Sequence, residues 1–232
     1  MMAEFDEFER NYHELIDAAV GFSGKSHDFF TQAKGDYLER ELTRHFGASP
    51  GQPLNILDVG CGHGDVHKFL EGRSPPHKLT GVDVAGDVLK VARSRYPGNC
   101  YDVYGGTTLP YETGSFDAAF TICVMHHVLP AQWLDFLREM RRVVRPGGLA
   151  IIVEHNPLNP MTRRIVNNCP IDANAVLLGS GQLRKLAAEA GFEDTASRYV
   201  MFVPFAGAFW KGLERALGWL PFGAQYYVTA RR

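Results

Sequence analysis

Three histidines and one glycine-spaced turn carry the groups in this chain best placed to do chemistry. His126 and His127 directly follow the apolar run F-D-A-A-F-T-I-C-V, and His155 closes the run L-A-I-I-V-E-H. Imidazole titrates near neutral pH, so each is a candidate to take a proton from a reacting hydroxyl. The alternative is that they are polar caps or line a ligand pocket. The turn lies in N-I-L-D-V-G-C-G-H-G-D, residues 55–65, where Asp58 precedes Gly60, Gly62 and Gly64. Glycine admits positive φ and leaves no Cβ between main chain and ligand, and a following helix offers unpaired N–H groups. A second carboxylate, Asp83, ends the run K-L-T-G-V-D-V.

Alternating elements must place these groups at one edge. Strand-like N-I-L-D-V-G, K-L-T-G-V-D-V, C-Y-D-V-Y, F-D-A-A-F-T-I-C-V and L-A-I-I-V-E-H are separated by helical patterns at about 65–71, 86–96 and 129–145, the last closed by Arg145-Pro146-Gly147-Gly148. Near-continuous apolar strands point to a parallel sheet, and such β-α steps wind right-handed. R-Y-V-M-F-V-P and Q-Y-Y-V-T-A-R-R read as two final strands. The expected fold is a doubly wound, mostly parallel seven-stranded α/β sheet with an N-terminal helical cap. It is a single domain: cap over 1–50, ligand-binding core over 51–156, and a loop, helix and two strands over 157–232. Within the cap, apolar spacing from Phe5 to Ala19 and from His27 to Phe46 predicts two amphipathic helices. Residues 156–179 read as irregular, with Ser180 as the N-cap of the next helix.

Composition excludes several classes. With 232 residues, 45% hydrophobic and a formal net charge of −2, the chain has a large core and no bulk attraction to nucleic acid. Cys61, Cys100, Cys123 and Cys169 form no C-x-x-C pair and read as reduced thiols of a cytoplasmic protein. The acidic N-terminus lacks the apolar region of a secretory signal, and no apolar run approaches the roughly 20 residues of a membrane-spanning helix. His63 and His67 share a spacing of four near Cys61, but no metal site is expected.

The ligand of the turn follows from charge and spacing. A dinucleotide fingerprint, G-x-G-x-x-G/A, requires a small last residue, and counting from Gly60 that position is Asp65. Asp58 would also repel a pyrophosphate. A ligand with a positive centre and no phosphate suits the turn better, and S-adenosylmethionine carries a sulfonium and an ammonium. A nicotinamide-dependent oxidoreductase is the weaker alternative. D-V-G-C-G-H-G at 58–64 resembles the first motif of the class I S-adenosylmethionine-dependent methyltransferases. The likeness continues through Asp83 in G-V-D-V, L-P-Y-E-T-G-S-F-D at 109–117 and R-V-V-R-P-G-G at 142–148.

That resemblance implies roles. Gly60, Cys61, Gly62 and Gly64 would close over the methionine part, with Asp58 holding the turn or the amino group. Asp83 would accept from both ribose hydroxyls, and Val84 would pack on adenine. Relatives often place an acid in the next loop; here Gly105, Gly106 and Thr107 stand there, leaving adenine to backbone groups, Thr107 or Asp102. Cys123 and Val124 would border the transferred methyl, and His127, His126 or His155 would serve as base. The implied activity is methylation of a small molecule, most readily at oxygen, of a glycan or natural-product intermediate. A cofactor-binding protein without turnover is the alternative. In the flanks, Lys34 or Arg40 would meet the methionine carboxylate, and Asn156, Asn159, Arg163 and Arg164 the acceptor. The stripe Phe205, Phe209, Leu213, Ala216, Leu220, with Trp210 and Trp219, would roof the pocket or touch a membrane surface.

Overall fold

The computed structural model describes residues 17, 21, 24–48, 52–71, 77–203 and 207–232, the side chains of 208 and 211 excepted. The predicted helix from Phe5 to Ala19, with Tyr12, lies outside these except for Asp17, as do Phe22 and Phe205. The elements run α1 (His27–Phe46), β1 (Asn55–Val59), α2 (His67–Leu70), β2 (Lys78–Asp83), α3 (Gly86–Arg95), β3 (Cys100–Val103) and β4 (Phe116–Ile122). They continue through α4 (Trp133–Val143), β5 (Val144–His155), α5 (Pro160–Asn168), α6 (Ser180–Glu189), β6 (Glu193–Val200), α7 (Ala208–Leu217) and β7 (Gln225–Arg231).

One seven-stranded sheet has the order β3-β2-β1-β4-β5-β7-β6. β3, β2, β1, β4 and β5 are mutually parallel, while β7 runs antiparallel to β5 and to β6. Strand order reverses between β1 and β4, so the carboxyl ends of β1, β2 and β4 open a crevice. Alternate residues of each strand feed the two faces. Leu57, Val59, Ala150, Ile152, Tyr226 and Val228 pack under α4 and α6, with Leu137, Met140 and Leu183. Ile56, Phe120, Ile151, Val153 and Tyr227 pack on the opposite face, with Leu38 and Leu42 of α1 and Leu70 of α2. Gly35 lets α1 approach α2, because a Cβ there would lie 2.7 Å from Phe69 Cβ. α1 is further tied to the sheet where the Tyr227 hydroxyl donates to the buried Glu41 carboxylate at 2.7 Å and accepts from Arg40 at 2.7 Å.

Several boundaries differ from the sequence reading. The helix expected over 129–145 occupies only Trp133–Val143, and Arg145-Pro146-Gly147-Gly148 belongs to the start of β5. The helix expected over 65–71 is the single turn α2. Ser180 is the first residue of α6, with Gly179 as the cap. The strand expected from Arg198 begins at Glu193 and ends at Val200. The stretch read as irregular contains α5, whose N-cap Asn159 accepts from the N–H groups of Met161 and Thr162. Asn-Pro, read as loop composition, is here an N-cap followed by proline at the first helical position.

Candidate active site

After β1 the backbone takes positive φ at Gly60, Gly62 and Gly64, +75°, +52° and +71°. At Gly60 a Cβ would also lie 2.5 Å from Val124 Cγ2, so the turn passes against the end of β4 with no room for a side chain. The N–H groups of Gly60 and Cys61 both reach Val82 O, at 2.7 and 3.1 Å. Asp83 finishes the pinning: one carboxylate oxygen accepts from Gly62 N–H at 2.8 Å and the other from Ala85 N–H at 3.0 Å. Each oxygen retains a lone pair for a further donor. Burial raises the Asp83 pKa against the pull of these N–H groups.

Asp58 is buried at the end of β1. Its Oδ2 lies 3.0 Å from His67 Nε2, whose Nδ1 sits 2.8 Å from the Tyr101 hydroxyl. With both ring nitrogens engaged, His67 is a structural partner of the turn and not a spare ligand. The other oxygen, Asp58 Oδ1, is buried with no hydrogen-bond partner among the described residues. An unpaired buried carboxylate oxygen is costly, and an ammonium donor would satisfy it.

A cavity of about 1440 Å³ opens over this turn. It is lined by Asp58, Gly60, Cys61, Gly62, Asp83, Val84, Gly105, Gly106, Thr107, Cys123 and Val124, and by all three histidines. Gly64 is the exception among the expected residues: it lies away from the cavity, beneath Tyr101, His67 and Tyr96. Asp102 is also turned away and accepts from the Tyr111 hydroxyl at 3.0 Å. Among the lining residues that the sequence reading does not place in the site are His63 and Tyr104. His63 was weighed only as a metal ligand, and Tyr104, whose phenol burial raises to about 12, stood in an unremarkable strand end. Pockets for one drug-sized ligand run to roughly 1,000 Å³, so this space admits a cofactor and an acceptor together.

The histidines form one cluster and are not equivalent. Glu154, fully buried in β5, accepts from the N–H groups of Val124 and Met125 at 3.1 and 2.8 Å and sits 2.6 Å from His126 Nδ1. Asp172 Oδ1 lies 3.5 Å from both His126 Nε2 and His127 Nε2. Burial alone would lower the His126 pKa, but Glu154 and Asp172 outweigh it and raise it to about 10. His126 is therefore a cation held between carboxylates and not the base that the sequence admitted. Burial, then repulsion from His126, lowers His127 to about 4, and the same two causes lower His155 to about 4. Both are neutral imidazoles, each with one unprotonated ring nitrogen. Neither Asp172, in the short turn Pro170–Asp172, nor Glu154 is singled out by the sequence reading; for Glu154 the available signal is a glutamate inside an apolar strand, which needs a partner when buried.

The flanks divide. Lys34 and Arg40 both line the cavity, and Arg40 is also bound to Tyr227 and Glu41. Asn156 donates to Pro221 O and Gly223 O, at 3.0 and 2.8 Å, so it supports the chain rather than a ligand. Asn159, though on the cavity wall, is spent as the α5 cap and donates to Phe222 O at 2.7 Å. Arg163 and Arg164 face solvent. Trp210 lines the cavity and Trp219 is exposed. Cys123 takes φ +56°, a conformation disfavoured for a residue with a side chain.

Comparisons with known proteins agree with this site. A family described as a methyltransferase domain matches residues 57–152. A 2-methyl-6-phytyl-1,4-hydroquinone methyltransferase of Synechocystis is 27% identical over 220 residues, covering 88% of this chain and 68% of that protein. A malonyl-[acyl-carrier protein] O-methyltransferase of Erwinia pyrifoliae is 32% identical over 139 residues, covering 58% of this chain and 49% of that protein. This chain thus spans about two thirds of the first relative and half of the second. An S-adenosylmethionine-dependent methyltransferase from Thermotoga maritima has the same fold, with a TM-score of 0.69 at 18% identity over 100% of this chain and 99% of that one. The glycine turn, the paired carboxylates and the matched domain agree, and together they support a class I S-adenosylmethionine-dependent methyltransferase whose methyltransferase domain spans residues 57–152.

Proposed function

We propose that this protein methylates a hydroxyl oxygen of a small-molecule acceptor with a largely apolar body, using S-adenosylmethionine. The single observation that carries the reading is the pair of neutral imidazoles, His127 and His155, on the wall of the cavity that also contains the glycine turn. The bound cofactor supplies an electrophilic methyl on a sulfonium leaving group. The protein's own work is therefore alignment and proton removal.

Asp83 holds the ribose while pinning Gly62, Asp58 Oδ1 receives the amino group, and Val84, Tyr104 and the Gly105–Thr107 backbone enclose adenine. Cys123 and Val124 border the sulfur. His127 takes the hydroxyl proton and Asp172 steadies the ring; His155 stands as the second acceptor of the proton. His126 stays protonated and holds the two carboxylates in place. Residues 1–50 act as the cap, 51–156 as the cofactor core and 157–232 as the acceptor side.

Phe30, Ile165, Ile171, Met201, Phe202 and Trp210 on the wall favour an apolar acceptor body. Of the two relatives, one is named for a phytyl hydroquinone, a molecule with a hydrocarbon chain, and the other is named an O-methyltransferase. The test is transfer from cofactor labelled in its methyl group to paired acceptors differing only in a hydroxyl or an amine. Label in the hydroxyl compound supports the reading. Label only in the amine, or cofactor binding with no transfer to any acceptor, contradicts it.

A further inference from the structure

The mouth of the cavity bears apolar side chains that stay exposed among the described residues. On one side, α5 and residues 219–224 form a single ridge. Asn159 Nδ2 donates to Phe222 O at 2.7 Å, Thr162 Oγ1 donates to Ala224 O at 2.8 Å, and Asn156 joins from below through Pro221 O and Gly223 O. The inner side of this ridge is cavity wall, through Asn159, Thr162, Ile165 and Ala224. Its outer side shows Leu158 at 65% and Phe222 at 67% exposure, and Met161, 48% exposed, stands at the rim and lines the cavity as well. Isolated exposed apolar residues are ordinary; three on one hydrogen-bonded ridge at a cavity rim mark an interaction surface. Elsewhere on the cavity wall, Trp210 packs edge-on, at 5.2 Å, against Phe209, which is 73% exposed.

Charge selects the partner. Residues 157–168 and 219–224 contain no Asp or Glu, while Arg163 and Arg164 project from α5 beside Met161. The ridge is thus locally +2 on a chain whose formal net charge is −2. Exposed aliphatic and aromatic side chains flanked by arginines are the composition of a segment lying in a lipid headgroup region. Among the described residues no helix is long and apolar enough to cross a membrane, so the contact is with a surface.

Resting on the reading of the cavity as an acceptor site, we propose that this ridge docks on an anionic lipid bilayer and that a lipid-dissolved acceptor enters the cavity across it. Arg163 and Arg164 meet the headgroups, Leu158, Met161 and Phe222 enter the acyl boundary, and the mouth opens onto the bilayer with the apolar wall behind it. A water-soluble acceptor would need neither the apolar rim nor its positive charge.

The experiment is co-sedimentation of the full chain with vesicles of phosphatidylcholine alone and of phosphatidylcholine mixed with phosphatidylglycerol, beside calorimetry with S-adenosylmethionine. The mixed vesicles bind the protein and the neutral ones bind it far less. R163A and R164A each weaken binding roughly fivefold, and F222S weakens it about tenfold. All three variants, which lie outside the cavity wall, keep the parent affinity for S-adenosylmethionine. No sedimentation with either vesicle overturns the proposal, as does binding undiminished in the combined R163A, R164A and F222S variant. Loss of cofactor binding in the parent chain would instead sink the methyltransferase reading, so the two failures are distinguishable.

Discussion

His126 and Glu154 form a buried pair, Nδ1 to Oε2 at 2.6 Å, that ties the turn after β4 to the end of β5. The same carboxylate accepts from Val124 and Met125, so one side chain fixes the backbone bordering the cavity. Removing one partner of a buried ion pair strands the other charge and costs about 3–5 kcal/mol. Glu154→Gln is expected to lose that much stability, read as a lower denaturation midpoint, and to loosen the wall at Val124. A melting curve identical to the parent's would contradict the assignment.

The cluster also fixes a pH dependence. His126 titrates near 10 in the folded chain against 6.5 when free, so its contribution is complete below 6.5 and disappears as pH rises through 10. His127 and His155 titrate near 4, so the unfolded chain takes up protons that the folded chain refuses between 6.5 and 4. Their contribution is complete above 6.5 and declines as pH falls towards 4. The histidine part of the stability therefore peaks near pH 6.5. Thermal melts across pH 4 to 10 check this, with the acid limb flattened in the double variant H127Q, H155Q.

Asp83 carries the expected cofactor selectivity. Its carboxylate already accepts from Gly62 and Ala85 and is left to receive the ribose. Asp83→Asn removes the charge, and a hydrogen bond to a charged group is worth roughly 1.5–3 kcal/mol. Affinity for S-adenosylmethionine should fall about tenfold to a hundredfold by calorimetry; an unchanged dissociation constant would separate Asp83 from the ribose.

Gly60 tests the turn itself. Alanine there meets both a left-handed backbone, at roughly 1–2 kcal/mol, and Val124 at 2.5 Å. Gly60→Ala is expected to lower stability and cofactor affinity together. Adding Val124→Ala should restore the part due to the clash and leave the backbone part.

The core of this site was legible because its signals are local. Gly60 and Gly62 sit in a turn whose spacing dictates backbone conformation, and Asp83 ends a strand whose apolar run is plain in the sequence. What was not legible depends on contacts between distant segments. Asp172 meets His126 and His127 only through tertiary packing, and that contact separates a cationic histidine from two neutral ones. Similarly, Asn159 and Pro160 looked like loop residues because they are, out of context, common to loops and helix starts. Helix α4 was over-extended at both ends: Pro130–Gln132 forms a separate short turn, and the residues after Val143 pair with β4.

The central claim is that a neutral histidine on the cavity wall removes the acceptor's proton. It is tested most directly by the turnover number of His127→Ala and His155→Ala at saturating S-adenosylmethionine, with a hydroxyl acceptor and confirmed cofactor affinity. A positioned general base contributes about a hundredfold to ten-thousandfold. The account predicts a loss of that size for His127→Ala with cofactor binding intact; full turnover in both variants would contradict it.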